Sequence, residues 1–467
     1  MLADLAFAAD IELDPASDIV ALTSALSPGS VIVFKDGTYT ISKTLTWSGV
    51  GTADQPITIK AASGAKPVIQ LADGNPIVRI QDSAFLSVEG LVFEGTPARI
   101  EAGGFDGLRV ESSTNLTIKN NVFRNIRNTG VYFGGNNADI TFEHNEITAL
   151  TEGSGLVLGC WDASCWTQDS YFLNNWIHGL TGENATAIWM GPGTQNTQVN
   201  HNVVHTTLNR GIYVGSTEYG ERNIIEGNAI WGVADTGIYI EGSSSVRNNL
   251  VFQVDGRGIR ADGGDRVFEK VAVTNNTVAS TTGWGIEIYD WAGKEGMVLA
   301  NNAITNPTGY GLRTQDGHID AGNYLSTNVV TGLVEGFAEF PTVVVPGSGI
   351  ADYDDIAAFD FYPGNNSALV DAGDPSGSAY LPEADFNGSK RDGEEPDVGA
   401  YELITNSNPG WVVQEGFKDV EAATAPPIDV GGCGCKGKGA DTDAAAAGLL
   451  LPLLGWALRR RRRASAQ

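Results

Sequence analysis

The sequence predicts an all-β chain that winds into a parallel β-helix, a solenoid whose turns stack on one another, with a short capping helix at its N-terminal end. Three observations support this prediction. An asparagine-marked segment recurs along the chain, and each repeat also contains a short Gly–apolar–x–apolar segment. Glycine is abundant, with 59 of 467 residues, which is typical of a chain with many turns. Self-similarity of this kind indicates a repeat architecture.

The first segment has the form apolar–x–apolar–x–(Asn, His or Gly)–Asn–x–apolar. Its spacing ranges from 21 residues, between Asn228 and Asn249, to 30 residues, between Asn145 and Asn175. We expect the marked asparagine to lie at a sharp corner and its amide to bond to the asparagine of the next turn. The predicted column consists of Asn121, Asn145, Asn175, Asn202, Asn228, Asn249, Asn276, Asn302 and Asn323.

The second segment alternates apolar residues with period two, which predicts strands with one face inward. Strands of three to five residues cannot bury a face alone, whereas stacking turns about 4.8 Å apart buries a continuous core. The segments begin at Gly130, Gly155, Gly211, Gly237, Gly258, Gly285 and Gly311.

The N-terminal part reads as a cap for the open edge of the solenoid. Ser17 or Asp18 is expected to cap a short helix that places Ile19, Leu22 and Leu26 on one face. Before it, residues 1–9 contain Ala6-Phe7-Ala8, which suggests the remnant of a signal peptide and therefore export.

The charge balance argues against a nucleic-acid partner. The chain carries a formal charge of -27, and its last segment is basic. A phosphate backbone requires basic neutralisation, which this chain lacks. An acidic polysaccharide held by calcium or by a local basic patch remains compatible with the charge.

Two cysteines, Cys160 and Cys165, flank a loop that contains Trp161. If the protein is exported, we expect them to form a disulfide. The loop then either overhangs a ligand site or covers apolar surface.

The outward positions of the glycine-led strands form the sharpest functional pattern. The aromatic residues of this outer strip suit stacking against sugar rings, and with the loop residue they give the predicted substrate-binding set, Trp161, Trp189, Tyr213, Tyr239 and Tyr289. Further along, the strip becomes charged, and it supplies predicted catalytic residues (Arg260, Arg313 and Glu287) and predicted calcium ligands (Glu241 and Asp262). Alternatively, these are ordinary outward residues stabilised by contacts across strands.

The opening VIVFKDGTYTISKTLTWSGVGTADQPITIKAASGAKPVI, with the Asn-Asn repeats, resembles the pectate-lyase-like proteins. The resemblance covers residues 10–350 and implies a single-stranded right-handed parallel β-helix. In lyases of this fold an Arg or Lys removes the C5 proton of a uronic acid, a part that Arg260 or Arg313 would take. The local motifs of these lyases and of β-helix polygalacturonases are absent. Catalysis is therefore left open, and a polysaccharide lyase is favoured over a glycoside hydrolase.

Residues 351–402 contain PGNNSALVDAG, DFNGSKR and PDVGAYE, and are similar to the choice-of-anchor Q closing region. That resemblance implies display at the cell surface. Residues 403–432 are polar and read as a linker.

Residues 433–467 resemble a MYXO-CTERM sorting tail, with Cys433 and Cys435 followed by an apolar run and five arginines. The resemblance implies transient membrane insertion, cleavage near the two cysteines by a sorting protease, and release to the cell surface. The alternative is a permanent short membrane anchor.

Two functional hypotheses follow. The first is a cell-surface protein that binds, and in one version cleaves, an acidic polysaccharide. The second is a non-catalytic adhesion protein in which the solenoid is a rigid scaffold. Neither hypothesis requires a cofactor. The acidic side chains of the strip suggest calcium as the cofactor to consider.

Overall fold

The computed structural model describes residues 10–23, 26–215, 222–263, 268–377 and 380–418, except for the side chains of 307, 308 and 377. The described residues all belong to one compact unit, residues 1–423. The strands form three long faces on which each strand pairs in parallel with the equivalent strand of the next turn. The predicted right-handed parallel β-helix is confirmed.

The first face precedes the asparagine corner of each turn. Its strands are Ile11–Leu13, Val31–Phe34, Ile57–Ala61, Ala84–Glu89, Thr114–Lys119, Asn137–Glu143, Tyr171–Leu173, Gln198–Asn200, Asn223–Glu226, Ser244–Arg247, Val271–Thr274, Val298–Ala300 and Tyr324–Ser326, with the short strand Thr167–Gln168 pairing beside the sixth.

The second face follows the asparagine corner. Its strands are Thr38–Ile41, Val68–Leu71, Val92–Gly95, Val122–Ile126, Glu146–Leu150, Trp176–Leu180, Val203–Thr207, Ala229–Val233, Leu250–Val254, Thr277–Thr281, Ala303–Arg313, Asn328–Glu335 and Val344–Pro346.

The third face carries the glycine-led segments. Its strands are Leu45–Trp47, Val78–Gln81, Leu108–Glu111, Val131–Gly134, Leu156–Leu158, Ile188–Met190, Arg210–Val214, Thr236–Ile240, Arg257–Asp262 and Trp284–Tyr289. The last two long strands of the second face continue around onto it, so that Arg313 pairs with Glu287.

The inward residues of all three faces form one continuous apolar core. Aromatic rings stack along it from turn to turn, with Phe93 and Phe123 at 5.0 Å and Phe142 and Phe172 at 6.0 Å between ring centroids. Because each fully buried side chain of this size contributes about 1.5–3 kcal/mol, the stack supplies much of the cohesion between turns.

The asparagine corner is a hydrogen-bonded ladder, as predicted. In each step the backbone N–H and the side-chain amide of one asparagine donate to the Oδ1 of the next, as Asn145 does to Asn175 at 2.9 and 3.2 Å. The predicted last position, Asn323, is wrong, because Asn302 donates to Asn328 and not to Asn323. Asn323 lies outside it and donates to the Trp291 carbonyl.

The residue before each ladder asparagine from Asn121 to Asn302 has a left-handed backbone, with φ values such as +57° at Asn120 and +54° at Asn248. Asparagine and glycine tolerate this conformation better than other residues do. Several of these first residues also hold the C-terminal region, since Asn174 donates to the Lys418 carbonyl and Asn248 donates to the Ala384 carbonyl. In these Asn-Asn pairs the second asparagine therefore joins successive turns, and the first asparagine binds the C-terminal region.

The N-terminal capping helix spans Ile19–Leu22, and the Asp18 side chain accepts a hydrogen bond from the Ala21 N–H. Ile19 and Leu26 are buried, but Leu22 is 45% exposed, so its predicted place on the buried face is wrong. The helix ends at Leu22, so Leu26 lies beyond it and does not share a helix face with Ile19. A second helix, Pro97–Ala102, is inserted between the second and third faces.

The closing region covers the second face. It contains three 3₁₀ segments (Gly349–Asp352, Ile356–Ala358 and Pro375–Gly377) and an antiparallel pair (Tyr353–Asp355 with Asp360–Pro363). Residues 403–418, which the composition assigns to a linker, pack here too: Trp411 and Val413 are buried, and the Lys418 amine donates to the carbonyls of Gly227 and Phe386.

Among the residues that the structure describes, no helix has the length and apolarity needed to cross a bilayer. The predicted signal-peptide remnant, 1–9, and the predicted tail with Cys433 and Cys435 lie outside the described residues.

Candidate functional site

The outward column of the third face runs in unbroken register over twelve turns. It consists of Thr46, Arg79, Arg109, Tyr132, Val157, Trp189, Tyr213, Tyr239, Arg260, Glu287, Arg313 and Glu335. The structure thus brings six of the predicted residues, from Trp189 to Arg313, into one line. Glu241, Asp262 and Tyr289 lie two residues further along their strands, beside this line.

Three rings of this line, together with Trp161 from the loop between Cys160 and Cys165, are called the aromatic ladder below. The ladder consists of Trp161, Trp189, Tyr213 and Tyr239. The rings of Trp161 and Trp189 are parallel at 5.3 Å, and those of Trp189 and Tyr213 are parallel at 5.9 Å. Stacking covers the inner rings, so Trp189 and Tyr213 are only 7% and 4% exposed, whereas Trp161 is 72% exposed. A ligand therefore meets the face of Trp161 and the edges of the other rings.

The disulfide loop positions Trp161. The predicted bridge between Cys160 and Cys165 is present, and the Tyr132 hydroxyl lies 3.5 Å from the Cys160 sulfur. The bridge closes the loop over the third face, next to a cavity of about 450 Å³ that Tyr132, Val157 and Trp189 also line. The loop lies beside this cavity, and its Trp161 also covers the ring of Trp189, so both roles considered for the loop stay open.

The charged part of the line is built around one carboxylate. Glu287 is 2% exposed and receives Arg257 at 2.6 Å, Arg313 at 3.5 Å and Arg260 at 3.9 Å. The Tyr289 hydroxyl also donates to Glu287, at 2.7 Å. Glu287 thus orients three guanidinium groups, called the arginine cluster below, beside a second cavity of about 350 Å³.

The protonation of this cluster follows from its contacts. Burial lowers the pKa of Arg260, but the hydrogen bond to Asp262 and the charges around it outweigh burial and raise it. Burial and the bond to Glu287 raise the pKa of Tyr289 to about 12. Burial, and then Glu241, also raise the pKa of Tyr239. All three groups hold their protons at neutral pH, which suits them to donate hydrogen bonds and does not suit them as bases.

The predicted calcium ligands are engaged by side chains. Glu241 accepts a hydrogen bond from the Tyr213 hydroxyl, and Asp262 forms an ion pair with Arg260. Within the described residues, no group of three or more His, Cys, Asp or Glu side chains is arranged to hold a metal ion. The calcium site at Glu241 and Asp262 stays a prediction.

The sequence interpretation missed a second outward column, three residues before the first, which includes Arg210 and Arg257. A Cβ at Gly211 would lie 2.7 Å from the Ile230 side chain, so this position faces the interior, as Ile212 does after it. The alternation of inward and outward side chains shifts by one residue at each such glycine. The residue before the glycine therefore lies on the outer surface of the strand. Reading the position before each glycine down the repeats would have found this column.

The second column reinforces the first. Arg210 lies over the rings of Tyr213 and Tyr239, at 5.7 and 5.1 Å, and Arg260 lies over Tyr239 from the next turn, at 5.1 Å. Cation–π contacts of this kind join the aromatic ladder to the arginine cluster. At the far end, His318 pairs with Asp290 at 3.0 Å and lines the second cavity.

The sequence matches a family profile described as right handed beta helix region. Two matched segments, residues 81–177 and 170–330, together span more than half of the chain. The chain belongs to the right-handed β-helix family. The matched region includes the whole aromatic ladder and the arginine cluster of this β-helix protein.

Solved structures resemble this β-helix protein at low sequence identity. A XylC structure in complex with xylose is 11% identical, with a TM-score of 0.52 and coverage of 86% of this chain and 99% of that chain. Pectate lyase Pel9A is 15% identical, with a TM-score of 0.48 and coverage of 84% and 96%. The A-module of the mannuronan C-5 epimerase AlgE4 of Azotobacter vinelandii is 16% identical, with a TM-score of 0.49 and coverage of 71% and 94%. The likeness is one of fold. No curated protein sequence matches the chain.

Proposed function

We propose that this β-helix protein binds an acidic polysaccharide along its third face. The observation that carries the proposal is the continuity of the aromatic ladder with the arginine cluster along one line of stacked turns. A polymer that lies along the solenoid axis would meet apolar ring surface and then oriented guanidinium groups.

The arginine cluster suits the carboxylates of an acidic sugar. Guanidinium groups present a planar fork that matches a carboxylate, and Glu287 holds three of them in place. The chain as a whole is strongly acidic, with a formal charge of -27. The cavity beside the cluster is lined by three arginines and three carboxylates, so it is less acidic than the chain as a whole, which favours a defined docking position for an anionic polymer.

The proton chemistry supports binding over cleavage. Proton abstraction at C5 requires a base, and Arg260, Tyr239 and Tyr289 all hold their protons more firmly than usual. A hydrolase requires two carboxylates at a defined separation, whereas Glu287 is committed to arginines and to a tyrosine. Arg260 and Arg313 are thus proposed as substrate-binding residues that Glu287 positions. In this form the proposal is also compatible with the non-catalytic scaffold.

Binding is tested by affinity electrophoresis in gels that contain polygalacturonate, alginate or a glycosaminoglycan, with dextran as the neutral polymer. The double variant Arg257→Ala/Arg260→Ala should bind at least one acidic polymer ten-fold more weakly than the wild type. The double variant Arg124→Ala/Arg127→Ala removes the same charge away from the site and should bind normally. An equal loss in both would show that binding reflects overall charge alone.

Cleavage is tested by incubating the protein with the same acidic polymers and following the ultraviolet absorbance of unsaturated uronates. We expect no product. Appearance of product would establish a lyase and would contradict the binding-only part of the proposal.

We also propose that the protein acts outside the cell, at its surface. The disulfide in the loop supports export because disulfides persist in oxidising compartments. Surface display and cleavage near Cys433 or Cys435 rest on the resemblance of the C-terminal segments to sorting regions. Mass spectrometry of the mature C-terminus tests this, since an intact Arg459–Arg463 run on the surface protein would contradict processing.

A further inference from the structure

The two cavities of the third face differ in the number of charged side chains that line them. The one beside the arginine cluster is lined by six residues with charged side chains: Arg257, Arg260, Asp262, Glu287, Asp290 and Arg313. The one under the disulfide loop, called the loop cavity below, is lined by a single residue with a charged side chain, Arg210. The two cavities therefore favour different ligands.

The loop cavity exists because the outward column is interrupted. In register, Val157 stands between Tyr132 and Trp189, so an aliphatic side chain occupies one turn where the next three turns carry rings. Trp161 reaches over from the loop and stacks on Trp189. The result is a volume of about 450 Å³ with aromatic walls and the small Val157 as one of its lining side chains.

The remaining lining supplies uncharged hydrogen-bonding groups. Ser154 and Thr186 contribute hydroxyls, and Asn184 and Asn209 contribute amides. Within the described part of the chain, the amides of Asn184 and Asn209 make no hydrogen bond, so both retain their capacity for a ligand. Hydroxyl and amide groups beside aromatic surface suit a molecule that is apolar on one face and rich in hydroxyls at its edge.

The charge of Arg210 is already compensated. Its Nε lies 3.3 Å from Asp235, and its guanidinium lies over Tyr213 and Tyr239. The loop cavity therefore offers one paired arginine, whereas three arginines lie beside the other cavity, and an uncharged ligand fits the loop cavity better.

We propose that the loop cavity is a subsite for one uncharged pyranose unit, an inference that rests on the proposed function of the third face. Four turns separate Val157 from Arg260, which places the two subsites about 19 Å apart at the spacing of stacked strands. The preferred polymer then contains neutral sugars interspersed with acidic ones.

The experiment titrates the full chain with methyl glycosides of glucose, galactose, mannose, xylose and rhamnose, and separately with oligogalacturonate and oligoalginate, by calorimetry at low and high salt. At least one neutral glycoside should bind with little dependence on salt. Val157→Phe, which fills the gap in the column, and Trp161→Ala should each weaken that binding ten-fold or more. Arg124→Ala/Arg127→Ala, away from the third face, should leave it unchanged, and Tyr171→Ala on the first face serves as the aromatic control.

The outcomes separate the two proposals. Binding of acidic oligosaccharides without any neutral glycoside would overturn the subsite and leave the proposed function standing. Neutral binding that survives both Val157→Phe and Trp161→Ala would place the sugar elsewhere and would also overturn it. Failure of every ligand would overturn both. Circular dichroism of Val157→Phe ensures that a loss does not come from misfolding.

Discussion

Replacing one asparagine of the ladder tests how the turns are held together. In Asn228, the side-chain amide donates to the Val199 carbonyl at 2.8 Å and to Asn249 at 2.9 Å. Its Oδ1 accepts from the backbone and side-chain amides of Asn202, at 2.9 and 3.0 Å. Asn228→Ala removes four buried hydrogen bonds, and at a net value of about 1 kcal/mol each the free energy of unfolding should fall by about 4 kcal/mol.

Urea denaturation measures this loss, followed in parallel by tryptophan fluorescence and circular dichroism so that two-state behaviour is checked. Asn323→Ala is the matched control, because the repeat pattern includes Asn323 but its side chain makes only two hydrogen bonds, which predicts a loss of about 2 kcal/mol. Asn184→Ala, at an exposed position, should change stability by less than about 0.5 kcal/mol. A loss for Asn228→Ala below about 1 kcal/mol, or equal to that of Asn323→Ala, would refute the reasoning.

Three further predictions concern the charged cluster, the loop and a buried histidine. Glu287→Gln should lower the free energy of unfolding by about 2 kcal/mol, less than for a fully buried pair because its arginines are partly exposed; an unchanged urea midpoint would contradict this. Cys160→Ser/Cys165→Ser should weaken acidic-polymer binding in affinity gels, because the loop no longer holds Trp161 on the ladder; unchanged mobility would show that the bridge does not position the ring. Burial, and then the nearby His178, lower the pKa of His205 to about 4. The unfolded chain therefore takes up a proton below about pH 6.5 that the folded chain refuses, and stability falls by about 3 kcal/mol between pH 6.5 and pH 4. His205→Gln should remove that part of the decline, and a parallel decline in both proteins would contradict it.

The repeat by itself determines the fold. Each turn carries its own corner, its own inward alternation and its own glycine, and turns of this kind bury their apolar faces only by stacking. The ladder, the disulfide and the line from Trp189 to Arg313 could therefore be predicted from the sequence. The single-turn helix was predicted too, although not the exposure of Leu22.

The last ladder position was harder to predict because the repeat degenerates near its end. Asn323 fits the motif by letter, but Asn328 occupies the corner, since the chain inserts a turn around residues 320–323 before it rejoins the first face at Tyr324. The last ladder residue is the asparagine that accepts the hydrogen bonds of Asn302, and only the register between the last turns decides which asparagine that is.

The sequence by itself determined that this protein is a β-helix and which side chains share its outer line. Only the tertiary structure decided which of those side chains act together. A period-two pattern does not predict the outward positions of Arg257 and Arg210, because the inward and outward alternation shifts by one residue at the glycine that follows each of them. Trp161 joined the ladder through a loop whose path the repeat does not encode. Local alternation fixes the direction of a side chain along one strand, whereas the meeting of three arginines on one buried carboxylate depends on the register between turns.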